Sequence, residues 1–245
     1  MISFNKEQIF IVTGASSGIG KCTAETLNSL GATVVAIARR EDKLIELKEN
    51  AKYPENIHIE VKDLAENIEE LPEYVKSLKA KYGKFSGMAY CAGVGDLKPL
   101  RAVEYNDIKR IFDINYFAAV MFAKGIVDKR NNIGKGFSMV AIASMGAIGC
   151  APSMTSYSGS KAALIASFKV IAKEIATQGM RANTVSPTLI QTDMADETSR
   201  QYAEGKYPLG LGDVSDVANV ITFLLSDKSK WINAQNYIID CGSEM

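Results

Sequence analysis

The 245-residue chain has one histidine, four cysteines and no excess of either charge, and each shortage argues against a class of function. Lysine plus arginine and aspartate plus glutamate number 28 each, and the basic residues are scattered along the chain. Composition therefore gives no reason to expect nucleic acid or an acidic membrane as a partner. The cysteines lie far apart and fit neither a metal site nor a disulfide framework, which favours free thiols in a reducing cytoplasm.

Long apolar runs are also missing from the chain. Residues 139–152 form the longest nearly apolar stretch, which is too short to span a bilayer. The first six residues lack the apolar centre of a signal peptide. We therefore expect a cytoplasmic protein that has neither a membrane-spanning segment nor a targeting segment.

What the chain does contain is a regular alternation of short apolar runs and helical segments. The runs are rich in β-branched residues and are mostly continuously apolar, which is typical of strands covered on both faces. They lie at residues 9–12, 32–38, 57–61, 87–92, 138–144, 181–186 and 236–241. This alternation predicts an α/β fold: one doubly wound (Rossmann) parallel sheet of seven strands, with helices on both faces, in a single domain over residues 1–245.

Two long helical segments are predicted at residues 102–129 and 153–177. Apolar residues cover most of the circumference of the second, so more than one of its faces must be buried. One face can pack on the sheet, and the other either meets a second subunit or lies deep in the core of one chain. A shorter signal, from Asn67 to Glu70, predicts a side-chain cap at the start of another helix.

The turn TGASSGIG at residues 13–20 directly follows the first apolar run. Gly14 permits a tight turn, Gly18 lets the backbone approach a phosphate, and Gly20 allows the next helix to pack closely. The free N–H groups at the start of that helix favour the pyrophosphate of a dinucleotide. The predicted contacts are Gly14, Ser16, Ser17, Gly18, Ile19 and Gly20.

The same glycine-rich turn also fits another chemistry. Residues 14–18 match the G-x-S-x-G nucleophile turn of serine hydrolases, which likewise joins a strand to a helix. Such a nucleophile needs a histidine base, normally late in the chain. The only histidine is His58, which lies inside the third strand pattern, so the sequence argues against a hydrolase.

The end of the second apolar run indicates which dinucleotide would bind. An NAD site usually has an acidic residue there, which accepts the ribose 2′-hydroxyl. Here Ala38 is followed by Arg39 and Arg40, whose guanidinium groups suit a 2′-phosphate. The pattern favours NADP(H). NAD(H) is the alternative, in which both arginines are ordinary solvated charges.

A serine, a tyrosine and a lysine form the second chemical pattern. Y-x-x-x-K occurs three times, but only Tyr157 has a serine, Ser144, thirteen residues before it. Ser144 closes an apolar run, whereas Tyr157 and Lys161 share one face of a predicted helix. A free tyrosine has a pKa of about 10, which a neighbouring ammonium group lowers toward the range useful for proton transfer. The pattern predicts a proton donor for a carbonyl group.

Together these motifs resemble the short-chain dehydrogenase/reductase family over nearly the whole chain. Further family-like residues are Asp63 and Leu64 after the third strand, Ala92 and Gly93 after the fourth, Asn115, and the segment with Pro187, Ile190 and Thr192. The resemblance implies that all of these except Asn115 contact the coenzyme, as do Tyr157 and Lys161, with Asp63 at the adenine and Thr192 at the carboxamide.

The resemblance also implies a catalytic role for each member of a tetrad. Tyr157 would protonate the carbonyl oxygen, and Ser144 would hydrogen-bond that oxygen. Lys161 would hold the nicotinamide ribose and tune Tyr157, and Asn115 would support a water molecule linking Lys161 to solvent. The chain departs from the family at residues 90–93, where Tyr-Cys-Ala-Gly replaces Asn-Asn-Ala-Gly and the usual side-chain bracing of the central strands is not expected.

The implied function is an NADP(H)-dependent oxidoreductase that reduces a ketone to a secondary alcohol. The chain most resembles the bacterial 3-oxoacyl-carrier-protein reductases, which makes a 3-oxoacyl thioester on acyl carrier protein a candidate among small carbonyl or alcohol substrates. A sugar or nucleotide-sugar dehydrogenase and a catalytically idle NADP-binding sensor are the alternatives. Residues 193–212 should form a lid over the substrate. Candidates for the pocket lining are Cys150, Ala151 and Met154, which favour an apolar or compact substrate, although packing in the core explains these three residues equally well. Family analogy implies a homodimer or homotetramer.

Overall fold

One parallel sheet organises the computed structural model, which describes residues 1–191 and 207–243. Its strands are β1 (Ile9–Thr13), β2 (Thr33–Ala38), β3 (Ile57–Val61), β4 (Gly87–Tyr90), β5 (Ser138–Ile142), β6 (Arg181–Pro187) and β7 (Asn236–Ile239). They pair in the order β3-β2-β1-β4-β5-β6-β7, and every pairing is parallel. The predicted doubly wound fold is confirmed.

Helices cover both faces of this sheet. They are α1 (Gly18–Ser29), α2 (Glu41–Glu49), α3 (Leu71–Tyr82), α4 (Tyr105–Phe112), α5 (Ala118–Ile126), α6 (Thr155–Ala176) and α7 (Val214–Leu225). Side chains alternate between the faces along a strand, so Ile11 joins the core under α3, α5 and α6, and Val12 joins the core under α1, α2 and α7. None of the helices described is long and apolar enough to cross a membrane.

The strand order reverses its direction between β1 and β4. The register pairs Thr13, at the end of β1, with Ile37 on one side and Tyr90 on the other. The carboxyl ends of β1, β2 and β4 therefore meet at one edge of the sheet. In open α/β sheets, ligands bind outside such a reversal at the carboxyl ends of the strands.

The predicted helix at residues 102–129 is divided in the structure. A π-helical turn, Asp113–Phe117, separates α4 from α5 and contains the buried Asn115. A π turn inserts one extra residue into a helix and is frequent at functional sites. Apolar periodicity did not reveal the division, because apolar residues continue through it.

The predicted side-chain cap at Asn67 is wrong. Asn67 has a φ of 51° and makes no capping hydrogen bond, and the 3₁₀ turn Ile68–Glu70 separates it from α3. Pro72 lies in the first turn of α3, where its missing N–H group costs nothing. The helix therefore starts on a proline instead of a capping box.

A buried arginine ties the end of α7 to the start of β6. Arg181 is only 7% exposed, and its Nη2 donates to the carbonyl oxygens of Leu224 and Ser226, each at 3.0 Å. Its Nη1 donates to the Ile232 oxygen at 3.2 Å. Burial lowers the pKa of Arg181 from its usual value. The cation lies where carbonyl groups at a helix end attract positive charge.

Replacing Arg181 by methionine should therefore destabilise the fold. The three carbonyl oxygens lose their charged donor, and we expect the free energy of unfolding to fall by about 3 kcal/mol. Urea denaturation measures this loss. The matched control is Arg101→Met at an exposed position, where a change within about 0.5 kcal/mol is expected. Equal losses in the two variants would contradict this role for Arg181.

Candidate active site

The glycine-rich turn joins β1 to α1 as predicted. Gly14 and Gly18 have φ values of 66° and 54°, a left-handed conformation that favours glycine. A β-carbon at Gly20 would collide with the carbonyl oxygen of Gly14, so the start of the helix needs glycine there as well. The first turn of α1 contains no acidic residue, which leaves its positive dipole end unopposed from within the helix.

The two arginines after β2 have different partners. Arg40 extends over the glycine-rich turn, and its Nη2 donates to the Ser17 hydroxyl at 2.6 Å and to the Ser16 hydroxyl at 3.1 Å. Nη1 of Arg39 lies 3.5 Å from Oδ2 of Asp63, and the Arg39 side chain is 68% exposed. Exposed ion pairs are weak, about 1 kcal/mol or less, so an incoming phosphate can compete for Arg39.

The central strands are braced by residues that the sequence analysis did not single out for this role. Oγ1 of the buried Thr13 accepts hydrogen bonds from the backbone N–H groups of Cys91 and Ala92, both at 3.1 Å. The Tyr90 hydroxyl donates to the carbonyl oxygen of Ile114 at 2.8 Å. The bracing lost with the Tyr-Cys pair therefore comes from a threonine on β1 and from the phenol. The sequence feature that could have predicted this bracing is Thr13, which directly precedes the first glycine of the turn.

Asn115 connects the loop after β4 to α6. Its Nδ2 donates to the Val94 oxygen and to the Ser160 hydroxyl, each at 3.0 Å, and its Oδ1 accepts from the Val94 N–H at 2.9 Å. A β-carbon at Gly93 would lie 3.0 Å from Oδ1 of Asn115 and 3.2 Å from Nζ of Lys161. Gly93 thus leaves the space in which the predicted asparagine and lysine approach each other.

Lys161 is buried with a backbone oxygen as its partner. Its Nζ donates to the carbonyl oxygen of Ile142 at 2.7 Å and lies 5.9 Å from the centre of the Tyr157 ring. Burial lowers the pKa of Lys161 to about 8. A side chain that titrates near neutrality is suited to proton transfer.

The pKa of Tyr157 differs from the sequence-based expectation. Burial raises it above its usual value, and a hydrogen bond with the Ser144 side chain offsets only part of that rise. The expected lowering by Lys161 is therefore not found in this arrangement, in which the ammonium group is hydrogen-bonded to Ile142. The phenol is held in its protonated form at neutral pH.

Ser144 follows β5 and lies beside Tyr157. The Ser144 Oγ accepts a hydrogen bond from the N–H group of Gly146 at 3.0 Å. Because the backbone donates to this oxygen, the hydroxyl proton is left for an oxygen acceptor. The structure therefore brings Ser144, Tyr157 and Lys161 together at the carboxyl edge of the sheet, as the spacing predicted.

The remaining predicted contacts lie around this edge. Leu64 is buried after β3, Pro187 ends β6, and Ile190 is 6% exposed and pairs with Gly212. Thr192 lies outside the described residues, as do residues 193–206 of the predicted lid. His58 is in β3 and stacks on Tyr82, with ring centres 4.7 Å apart.

Comparison with known proteins decides the family. A family model described as enoyl-(acyl carrier protein) reductase matches residues 14–244. The chain belongs to the short-chain dehydrogenase/reductase family. This short-chain dehydrogenase/reductase is 33% identical to the 3-oxoacyl-(acyl-carrier-protein) reductase FabG of Rickettsia conorii, and the match covers 96% of each chain. It is 30% identical to the L-xylulose reductase of Caenorhabditis elegans over 95% of this chain and 94% of that one.

A solved structure has the same fold. The short-chain type dehydrogenase/reductase of Mycobacterium ulcerans superposes with a TM-score of 0.88 at 30% identity, covering 99% of this chain and 91% of the other. The predicted family is thus confirmed, and the short-chain dehydrogenase/reductase is an oxidoreductase acting on the CH–OH/C=O pair. Membership of this family removes the serine hydrolase alternative.

Proposed function

We propose that the protein reduces a ketone to a secondary alcohol with NADPH, through Ser144, Tyr157 and Lys161. The observation that carries the proposal is the meeting of these three side chains at the carboxyl edge of the sheet, close to Gly93 and the reversal of strand order. A protein that only sensed the coenzyme would have no need of a buried phenol paired with a serine hydroxyl. The intact set therefore favours an enzyme over the sensor alternative.

The residues at the glycine-rich turn fit NADP(H). A β-carbon at Gly14 would collide with the backbone of Ala92 and one at Gly20 with the Gly14 carbonyl, and Gly18 has a positive φ, so glycine at these positions permits the tight turn over which a pyrophosphate would lie. Arg40 and Arg39 would hold the 2′-phosphate, and neutral Ala38 lies where an NAD site usually has an acid. When bound, NADPH supplies the hydride.

Each side chain of the tetrad has a separate role in the proposed reaction. Tyr157 donates its phenolic proton to the carbonyl oxygen, and its raised pKa keeps that proton in place at neutral pH, which favours reduction. Ser144 donates a second hydrogen bond to the same oxygen. Lys161, with its pKa of about 8, would return a proton to the phenol, and Asn115 fixes the loop that packs against the lysine.

The proposed substrate is a 3-oxoacyl thioester, presented on acyl carrier protein. This rests on the similarity to FabG of Rickettsia conorii, whose name specifies that substrate. Exposed Lys129 and Lys173 are available to an acidic carrier. The similarity to the L-xylulose reductase of Caenorhabditis elegans supports sugars as the second candidate.

A substrate panel monitored by the absorbance of NADPH separates these candidates. Acetoacetyl thioesters should be reduced faster than L-xylulose and other sugars. Faster reduction of sugars would reject the thioester proposal while leaving the reductase chemistry intact. No reduction of any carbonyl would revive the sensor alternative.

The coenzyme proposal predicts a shift in preference when the arginines are changed. Removing the Arg40 guanidinium by Arg40→Ala should lower the NADPH-to-NADH ratio of kcat/KM by about thirtyfold, since hydrogen bonds to a charged group contribute about 2 kcal/mol. Arg39→Asp should shift preference toward NADH as well, because a carboxylate repels a phosphate and accepts a hydroxyl. Arg130→Ala, which removes a surface partner of Asp128, is the control. An unchanged ratio in both site variants would reject the assigned 2′-phosphate site.

We also propose a homodimer or homotetramer in the cytoplasm. One face of α6 packs on the sheet through residues such as Leu164 and Phe168, whereas Val170 on the same helix is 55% exposed and Phe117 is 46% exposed. A second subunit covering these apolar side chains would account for the apolar circumference of α6. Sedimentation velocity tests the assembly, and a single monomeric species would reject it.

A further inference from the structure

Three side chains converge on one glycine beside the proton donor. Gly146 lies in the 3₁₀ turn Met145–Ala147 directly after Ser144. A β-carbon at Gly146 would be 2.7 Å from Cε of Met154, 3.3 Å from Oγ of Ser144 and 3.5 Å from Cε1 of Tyr157. The terminal methyl of Met154 therefore occupies the space next to the Ser144–Tyr157 pair that any other residue at position 146 would fill.

The backbone that carries Met154 is fixed on both sides. The Met154 carbonyl accepts from the Ser158 N–H at 2.7 Å in the first turn of α6. The preceding residue, Ser153, has a φ of 68°, and its carbonyl accepts from the Lys98 N–H at 2.8 Å. Lys98 in turn pairs with Asp107 of α4. The thioether thus projects from a fixed point, and only its own rotatable bonds can move the methyl group.

The surrounding loops at this edge carry exposed apolar side chains. Leu97 is 67% exposed and neighbours the Lys98 anchor, and Ile148 is 47% exposed just after the turn that contains Gly146. Leu100, at the start of the next turn, is 71% exposed. Exposed apolar side chains in the loops at the same edge of the sheet as the reacting pair favour a substrate with an apolar substituent.

We propose that Met154 is the specificity-determining residue of the carbonyl pocket, and that Gly146 sets the position of its terminal methyl group. The methyl forms the wall that contacts the substituent next to the reacting carbonyl, and that substituent is an unbranched apolar chain. This inference rests on the proposed function, because it takes Tyr157 and Ser144 as the groups that contact the carbonyl oxygen.

The two residues predict opposite effects on selectivity. Met154→Ala removes the wall and opens the pocket to longer substituents. Gly146→Ala adds a carbon 2.7 Å from Cε of Met154, and the end of that side chain is free to rotate away from the turn and into the pocket. The substitution keeps the N–H group that donates to Ser144. Because its β-carbon also lies 3.3 Å from Oγ of Ser144, kcat for the short thioester measures any effect on the proton-donating pair separately. When both changes are combined, the 2.7 Å conflict with Cε of Met154 no longer exists.

The test compares kcat/KM for a short and a long unbranched 3-oxoacyl thioester with NADPH. In Met154→Ala the long-to-short ratio should rise about tenfold, the scale of one or two methylene groups in an apolar pocket. In Gly146→Ala it should fall by about the same factor, and the double variant should follow Met154→Ala. Met154→Leu, which conserves volume, should keep the wild-type ratio. The changes should appear chiefly in KM for the long thioester.

Unchanged ratios in both Met154→Ala and Gly146→Ala would overturn the assignment, and so would additive effects in the double variant. If the wild type reduces other ketones but neither thioester, the substrate proposal fails by itself. The same ratios measured on a short and a long unbranched methyl ketone then test Met154. Should no carbonyl be reduced, the proposed function fails. Dissociation constants of the two ketones from the NADPH-loaded protein, measured by calorimetry, then decide whether the Met154 methyl group limits the length of the bound substituent.

Discussion

Replacing Tyr157 by phenylalanine is expected to lower kcat by about a thousandfold or more, the contribution of a positioned proton donor. Only the phenolic oxygen is lost, so the ring at position 157 keeps its packing contacts. The Ser144 hydroxyl remains beside the carbonyl, but an aliphatic hydroxyl is a much weaker acid than a phenol and cannot replace it as the proton donor. NADPH should therefore still bind while turnover stops.

The chain offers a matched control for this experiment. Tyr105 and Lys109 repeat the tyrosine–lysine spacing on α4, but Tyr105 is 76% exposed and has no serine thirteen residues before it. Tyr105→Phe should leave kcat and the dissociation constant of NADPH unchanged. If Tyr157→Phe kept more than about a tenth of wild-type kcat, Tyr157 would not be the proton donor.

The second large effect is expected at Lys161. Lys161→Met should lower kcat by about a hundredfold or more because the ammonium group is lost from the site. The same change should stabilise the fold at neutral pH. Burial holds the pKa of Lys161 at about 8 instead of 10.5, so the folded state carries a charge in an unfavourable place. Removing this penalty and the hydrogen bond to Ile142 together should raise the free energy of unfolding by about 2 kcal/mol.

The stabilisation expected from Lys161→Met depends on pH, in a direction that follows from the lowered pKa of Lys161. Below pH 8 the lysine is protonated in both states, and the full penalty is present. Between pH 8 and pH 10.5 the unfolded state binds more protons than the folded state, so the wild type gains stability as the pH rises. The advantage of Lys161→Met should shrink across this window. Urea denaturation on both sides of pH 8 measures the change.

Lys109→Met is the control for the stability measurement. Lys109 pairs with Asp113 at 2.6 Å, and its pKa is raised chiefly by that hydrogen bond. Its removal should cause a small loss of stability, opposite in sign to the effect at Lys161. A loss of stability in Lys161→Met at neutral pH would contradict the penalty that we assign to the buried ammonium group.

The fold and the catalytic spacing could be predicted from the sequence because both depend on local patterns. Short runs rich in β-branched residues, most of them continuously apolar, located the strands that the structure describes, and the interval from Ser144 to Tyr157 distinguished one tyrosine–lysine pair from two others. The end of a strand and the first turn of the following helix lie close together in a fold of this type. The thirteen-residue interval therefore predicts that Ser144 and Tyr157 are neighbours.

Other features of the site depend on contacts in space, which the sequence does not display. The raised pKa of Tyr157 follows from its burial, and the different partners of Arg39 and Arg40 follow from where each side chain can reach. The approach of Met154 to Gly146 joins residues on either side of a loop. None of these has a signature in spacing or composition.

The π-helical turn at Asp113–Phe117 has a consequence for how this chain tolerates insertions and deletions. Each residue advances a helix by about 100°, so the additional residue sets α4 and α5 out of phase with one another. Deleting one residue there would join α4 and α5 into one continuous helix and turn the carboxamide of Asn115 away from Ser160. Length at this point is therefore as restricted as residue identity, although the segment lies within what looks like an ordinary helix.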